Sequence, residues 1–239
     1  MLLANLSWEE TREYLAQDDR IIFPIGATEQ HGRHLGLGCD YILAEAIANE
    51  TGARANVVVA PALAFGMSHH HLEFRGTLSL SPSTLTSVLE DLFGSLYRHG
   101  FRRVLVVNGH GGNSPSLSSA LASVTTDLRD LRVKTFQWWT APEILKMVEA
   151  TVGVQQGTHA SNHETAFLMA VRADAVKRER IAKRDAPVIP SYEFTSAGLF
   201  AEKYPDGVMG LDPTPATREL GEKIFDASVA ICQDETEKW

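Results

Sequence analysis

Val104-Leu105-Val106-Val107-Asn108-Gly109-His110-Gly111-Gly112-Asn113-Ser114-Pro115 is the stretch that decides the fold. Four consecutive apolar residues without polar alternation read as a strand buried on both faces, as in the centre of a parallel sheet. A glycine-rich turn follows. Ser114-Pro115 then supplies an N-cap with proline at the first helical position, predicting a helix to about Leu128. The same unit recurs on either side. Ile21-Ile22-Phe23-Pro24-Ile25-Gly26 and Val57-Val58-Val59-Ala60 are further apolar runs, and Val133 to Trp138 reads as another strand. Helical spacing runs from Asp40 to Thr51, closed by Gly52, and from a Ser83 cap to His99, closed by Gly100. Ser7-Trp8-Glu9-Glu10 reads as a capping box opening a short first helix, and Pro215 to about Gln233 as a terminal one. Strands alternating with helices predict a parallel sheet covered on both faces, with ligands beyond the carboxyl ends of its strands.

The length of 239 residues suits one domain spanning 1–239. With 44% hydrophobic and 22% charged residues, the composition excludes a disordered or fibrous chain. Lys and Arg number 22 against 30 Asp and Glu, a formal charge of -8, and no basic run offers a phosphate-tracking surface, so nucleic acid is not an expected partner. Cys39 and Cys232 are too few and too far apart for a disulfide framework, which fits a reducing compartment. The N-terminus lacks the basic and apolar regions of a signal peptide, and no segment has the length of a membrane span. The expectation is a cytoplasmic protein without a membrane partner.

Eight of the nine histidines fall in four short places. Glu29 and His31 follow the first strand. Being two apart, they share a face if the chain stays extended, and a carboxylate beside an imidazole suits zinc, manganese or iron. Alternatively, Glu29 is a solvated turn residue and Asp40 a helix N-cap. His110 stands among glycines that admit either a metal ligand or a nucleotide- or phosphate-binding cradle at residues 109–112. That loop lacks both the Gly-Lys-Ser/Thr of a P-loop and the third glycine of a dinucleotide fingerprint. Glu164 is either a ligand or the second half of a capping box with Ser161, and an N-cap at Ser161 would put His159 before the first turn. Glu29, His31, Asp40, His110 and Glu164 together offer three carboxylates. With one bridging hydroxide these balance two divalent cations, favouring a dinuclear hydrolytic centre with metals about 3.5–4 Å apart.

Thr28-Glu29-Gln30-His31-Gly32, His34-Leu35, Asp40, Asn108-Gly109-His110-Gly111-Gly112-Asn113, His159-Ala160 and Glu164-Thr165 resemble, in order, the motifs of the creatininase (creatinine amidohydrolase) family. Gly66-Met67-Ser68, His71 and Phe74-Arg75-Gly76-Thr77 resemble its Ser/His loop, and Gly210, Asp212-Pro213-Thr214, Ala216-Thr217 and Gly221 its closing motif. The resemblance implies a three-layer α/β/α sandwich with a mainly parallel sheet, assembled as a homo-oligomer, commonly a hexamer. It implies a hydrolase that uses two divalent metals, zinc first with manganese or iron as alternatives, to cleave the C–N bond of a small amide, formamide or lactam by a bridging hydroxide. Glu29 and His110 would bind one metal, His31 and Glu164 the other, with Asp40 between them. His159 would be catalytic with Glu164, donating a proton to the leaving nitrogen, or else support a metal carboxylate. Ser68, His71, Arg75 and Gly111 are the expected substrate contacts, with a solvated turn or subunit contact as the alternative for Arg75. Creatininase itself resembles Asn-Gly-His-Tyr-Glu-Asn at the glycine loop. Gly111 and Gly112 therefore point to another branch. Trp138 and Trp139 are candidates for the pocket wall, the core or an interface, and His69, His70 and His163 receive no role.

Overall fold

Ile22 pairs with Val59 on one side and Leu105 on the other, and this register builds one parallel sheet. In the computed structural model, which describes residues 1–153, 159–184, 195–210 and 212–239, the strands are β1 (Arg20–Ile25), β2 (Val58–Val59), β3 (Arg103–Asn108) and β4 (Arg132–Phe136), in the order β2-β1-β3-β4. The helices are α1 (Trp8–Leu15), α2 (Cys39–Ala55), α3 (Pro82–His99), α4 (Ser114–Asp127), α5 (Pro142–Val152), α6 (Asn162–Val171), α7 (Ala197–Lys203) and α8 (Arg218–Glu237). Alternation along the strands divides the core. Ile22, Leu105 and Val107 pack with residues of α2, α5, α6 and α8. Ile21, Phe23, Ile25, Val104 and Val106 pack with α3 and α4 and with Tyr14 and Leu15 of α1. These strands are therefore apolar on both faces, and the three-layer α/β/α arrangement follows. Each such Ile, Leu, Val or Phe contributes about 1.5–3 kcal/mol on burial.

Several helix ends differ from their sequence signals for identifiable reasons. The first helix keeps its capping box at Ser7 and Glu10. Ser81 rather than Ser83 caps α3, because Pro82 takes the first helical positions. Helix α2 begins at Cys39, so Asp40 lies in its first turn instead of capping it, and the helix runs through Gly52 to Ala55. A Cβ on Gly52 would come within 2.3 Å of Val59 Cγ2, so this glycine serves the close approach of α2 to β2 rather than helix termination. Asn113 precedes α4, Thr217 caps α8, and the chain after Phe136 turns into a 3-10 segment at Trp138–Thr140.

The topology creates a crevice. From β1 the chain passes through α2 to β2, and from β3 it passes through α4, on the opposite face, to β4. The connections diverge at the carboxyl ends of β1 and β3, the switch point where open α/β sheets bind ligands. Gly26 and Gly109 stand at those two ends. A Cβ on Gly26 would lie 2.3 Å from Tyr41 N, and one on Gly109 would lie 2.2 Å from Asp40 O. Their lack of side chains lets the first turn of α2 settle over both strands and brings Asp40 to the crevice.

Candidate metal centre

Three imidazoles are held by the same device. His31 Nδ1 is 3.2 Å from Glu29 O, His110 Nε2 is 2.8 Å from Met67 O, and His159 Nε2 is 2.6 Å from Gln30 O. A backbone carbonyl accepts only from an N–H, so each contact assigns a proton to that nitrogen and leaves the other ring nitrogen facing inward. Inward, His31 Nε2 meets Asp40 Oδ1 at 2.9 Å and His110 Nδ1 lies 3.1 Å from Asp40 Oδ2. His159 Nδ1 is 3.4 Å from Glu29 Oε1, while the nitrogen of His110 that is anchored on Met67 O, Nε2, also lies 3.4 Å from Glu29 Oε2. Imidazoles anchored through one nitrogen with the other turned toward carboxylates are typical of metal-ligating histidines.

The loops that carry these residues are tied together. Asn113 Nδ2 donates to Gly26 O at 3.0 Å, joining the glycine loop after β3 to the end of β1, while its Oδ1 accepts from Met67 N at 3.1 Å. Asn108 Oδ1 accepts from the His110 amide at 3.1 Å. His159 exchanges backbone hydrogen bonds with Met209 at 3.0 and 3.2 Å, which fixes it across the crevice from His31, ring centroids 4.3 Å apart.

Glu29, His31, Asp40, His110, His159 and Glu164 are all buried. Burial pushes the Glu29 carboxyl up to about 7 despite His110 nearby, and burial with Asp40 beside it does the same to Glu164. Burial alone would raise Asp40, but His31 and His110 hold its carboxyl well below the ordinary carboxylate range. Burial would likewise lower both imidazoles, yet Asp40 raises His31 to about 10, and Glu29 together with Asp40 raises His110 to about 9. His159 is driven well below its ordinary value by burial and by His31 and His71, so its resting ring is neutral.

A divalent cation fits this donor set. Both oxygens of Glu29 and Asp40 Oδ2 are buried without a well-aligned hydrogen-bond donor, an arrangement that is costly unless a cation supplies the missing partner. The donor atoms of Glu29, Asp40 and His110 lie within 4.8 Å of one another, as do those of His31, Cys39 and Asp40, and those of Glu29, His31 and His159. Asp40 belongs to two of these groups, presenting one oxygen to His31 and the other to His110.

The remaining expected residues divide. Glu164 lines the same pocket, but one of its oxygens accepts from the Ala160 amide, and Ser161 Oγ contacts His163 Nδ1 at 2.9 Å instead of capping α6. The Ser161 side of the expected capping box is therefore absent. His71 Nε2 is 3.5 Å from Glu29 Oε1, and Gly111 lines the pocket mouth. Ser68 is fully buried below it, whereas Arg75 is exposed and outside the lining among the described residues. Trp138 and Trp139 both line the pocket, and Trp138 also packs edge-on against Phe167 at 5.2 Å. Two participants carried no separate signal. Gln30 donates from Nε2 to His71 Nδ1 and to Gly207 O, both at 2.8 Å, which leaves the His71 proton on Nε2 toward Glu29. Cys39 adds a buried thiol beside His31 and Asp40.

Fold and site together define an α/β protein with a buried histidine–carboxylate pocket at its switch point, the donor set of a divalent metal centre. A family model described as "Creatininase: Creatinine amidohydrolase" matches residues 4–234, and the chain belongs to this family. It is 31% identical over 243 residues to the mycofactocin precursor peptide peptidase of Mycolicibacterium smegmatis, covering 99% of this chain and 92% of that one. It is 28% identical to the creatinine amidohydrolase of Pseudomonas putida, covering 96% and 93%. Among solved structures, a creatininase variant of "Zn-Zn type" superposes with a TM-score of 0.87 at 27% identity, covering 99% of this chain and 97% of that one. The chain falls in a branch other than creatininase itself.

Proposed function

We propose that the protein is a dinuclear metal-dependent hydrolase of amide C–N bonds, acting on a small amide, formamide or lactam. The observation that carries this reading is the division of Asp40 between two donor groups, one oxygen to His31 and the other to His110, above the two unpartnered oxygens of Glu29. Glu29 and His110 would hold one cation, His31 and Glu164 the other, with Asp40 shared. Similarity to a creatininase structure of Zn-Zn type supports zinc, with manganese or iron as alternatives. Bound there, such a pair lowers the pKa of water and polarises a carbonyl.

The chain's own residues supply the rest. His159, neutral at rest, takes up a proton at Nδ1, the nitrogen left free by the Gln30 carbonyl, and returns it to the departing nitrogen. Gln30 holds His71 in the tautomer that donates toward Glu29. His71 and Gly111 are read as substrate contacts near this floor, whereas Ser68, fully buried and outside the pocket lining, is not placed to touch a substrate, and the exposed position of Arg75 favours its alternative, a solvated turn. On the family resemblance, the enzyme is further read as one domain assembled into a cytoplasmic homohexamer, with neither nucleic acid nor membrane as partner. Among the described residues no helix is long and apolar enough to cross a membrane.

A second substrate reading, a peptide bond of a precursor peptide, is favoured by the 31% identity to a precursor peptide peptidase. The phosphate-cradle reading of residues 109–112 loses support, since Gly109 and Gly112 fit against Asp40 O, Met67 O and the His110 ring, and no Lys or Arg lines the pocket among the described residues. The test is a screen of small amides, formamides, lactams and short peptides with zinc or manganese restored. Metal-dependent release of an amine or ammonia is expected. Metal-independent phosphate binding with no hydrolysis would support the alternative.

A further inference from the structure

The pocket above the metal floor encloses about 380 Å³, and its residues separate into two chemistries. The floor holds every carboxylate of the lining: Glu29, Asp40 and Glu164. The wall is built from Pro115, Trp139, Ile144, Leu145, Val148 and Met209, and among the described residues neither a carboxylate nor a Lys or Arg joins it.

Helix α5 makes this wall by its sequence spacing. Ile144 and Val148, four apart, are buried, and Leu145 beside them is 48% exposed at the rim, while the charged Glu143, Lys146 and Glu149 all face solvent. Helical periodicity thus keeps the charges of α5 out of the pocket. A charged group on a substrate pressed against this wall would lose its hydration without gaining a partner, and its binding would weaken accordingly.

Accepting the amide-hydrolase reading, we propose that the substrate's flank beyond the scissile amide is uncharged and apolar, and that Leu145 is the rim residue that sets this preference. A carboxylate, phosphate or ammonium on that flank is rejected by the wall, and an aromatic or branched aliphatic group is accepted by it.

The test uses the zinc-loaded full chain and three matched probes: phenylacetamide, its 4-carboxy derivative and its 4-aminomethyl derivative. Binding is followed by tryptophan fluorescence and calorimetry, separately from turnover. Phenylacetamide should bind at least about tenfold more tightly than either charged form, a factor equivalent to about 1.4 kcal/mol. Leu145→Lys, at a half-exposed position, should leave metal content and melting temperature unchanged and raise affinity for the 4-carboxy form by about tenfold or more. Equal binding of the three, preference for a charged form, no binding of phenylacetamide, or no response to Leu145→Lys overturns the proposal. Selective binding of phenylacetamide without hydrolysis of any amide would uphold the wall and sink the hydrolase reading, so the two failures are distinguishable.

Discussion

Adding zinc to the metal-free chain should release a number of protons that falls as the pH rises. The ligands must shed their protons to bind a cation. In the metal-free pocket Glu29 and Glu164 titrate near about 7, His110 near about 9 and His31 near about 10, while Asp40 is already ionised. At pH 6 both histidines and most of both glutamates hold protons, so zinc should displace about four per chain. At pH 7 the glutamates are half ionised and the release drops to about three, and at pH 8 to about two, from the histidines alone. Water that ionises at the cations adds to the count without removing its decline between pH 6 and 7. The assay is calorimetry of zinc binding in buffers of different ionisation enthalpy at each pH. Release below two protons at pH 6, or the same release at pH 6 and 7, would refute the account of how burial and Asp40 set these groups.

The same shifts fix the pH dependence of the metal-free fold. Glu29 and Glu164 are raised from 4.5 to about 7, so their contribution is present below 4.5 and lost as pH climbs through 7. His110 and His31 extend the loss from 6.5 through about 9 and 10, whereas His34 and His163, lowered to about 4, contribute above 6.5 and lose that contribution as pH falls through 4. Chelator-treated protein should therefore melt progressively lower from pH 7 to 9, and excess zinc should flatten the trend. Gly109→Ala forces a Cβ toward the Asp40 carbonyl oxygen, 2.2 Å away, and should cost about 1–3 kcal/mol of stability while weakening metal binding, as read by denaturant melts and zinc competition. His159→Asn should lower turnover by roughly a hundredfold or more with metal content unchanged; metal loss would make His159 a ligand instead.

The sheet was legible because its central strands are doubly buried. Ile21 to Ile25 and Val104 to Val107 carry no polar alternation, and no other structure buries such runs so simply. Helix ends were less legible where two signals competed. Ser83 reads as the cap, but Pro82 takes the first helical position and leaves the cap to Ser81; Gly52 reads as a terminator but is needed where α2 crosses Val59. In the site, Glu29, His31, Asp40 and His110 were readable because each lies in a short polar motif just beyond a strand or at a helix start. Gln30 was not, since its contacts to His71 and His159 span 41 and 129 residues, and period-two alternation would have turned it away from its neighbours. Arg75 reads either as a substrate contact or as a solvated turn or subunit contact, because its exposure depends on a turn whose direction a single sequence does not encode. Cys39 was read only for disulfides, because nothing in a lone cysteine announces the imidazole and carboxylate that the first turn of α2 brings beside it.

The central claim is that Asp40 joins two cation sites, and counting metals tests it most directly. Protein purified without chelator and analysed by inductively coupled plasma mass spectrometry should hold two divalent cations per chain, and Asp40→Ala should hold fewer than one. A single cation per chain, or two retained in Asp40→Ala, would contradict the account.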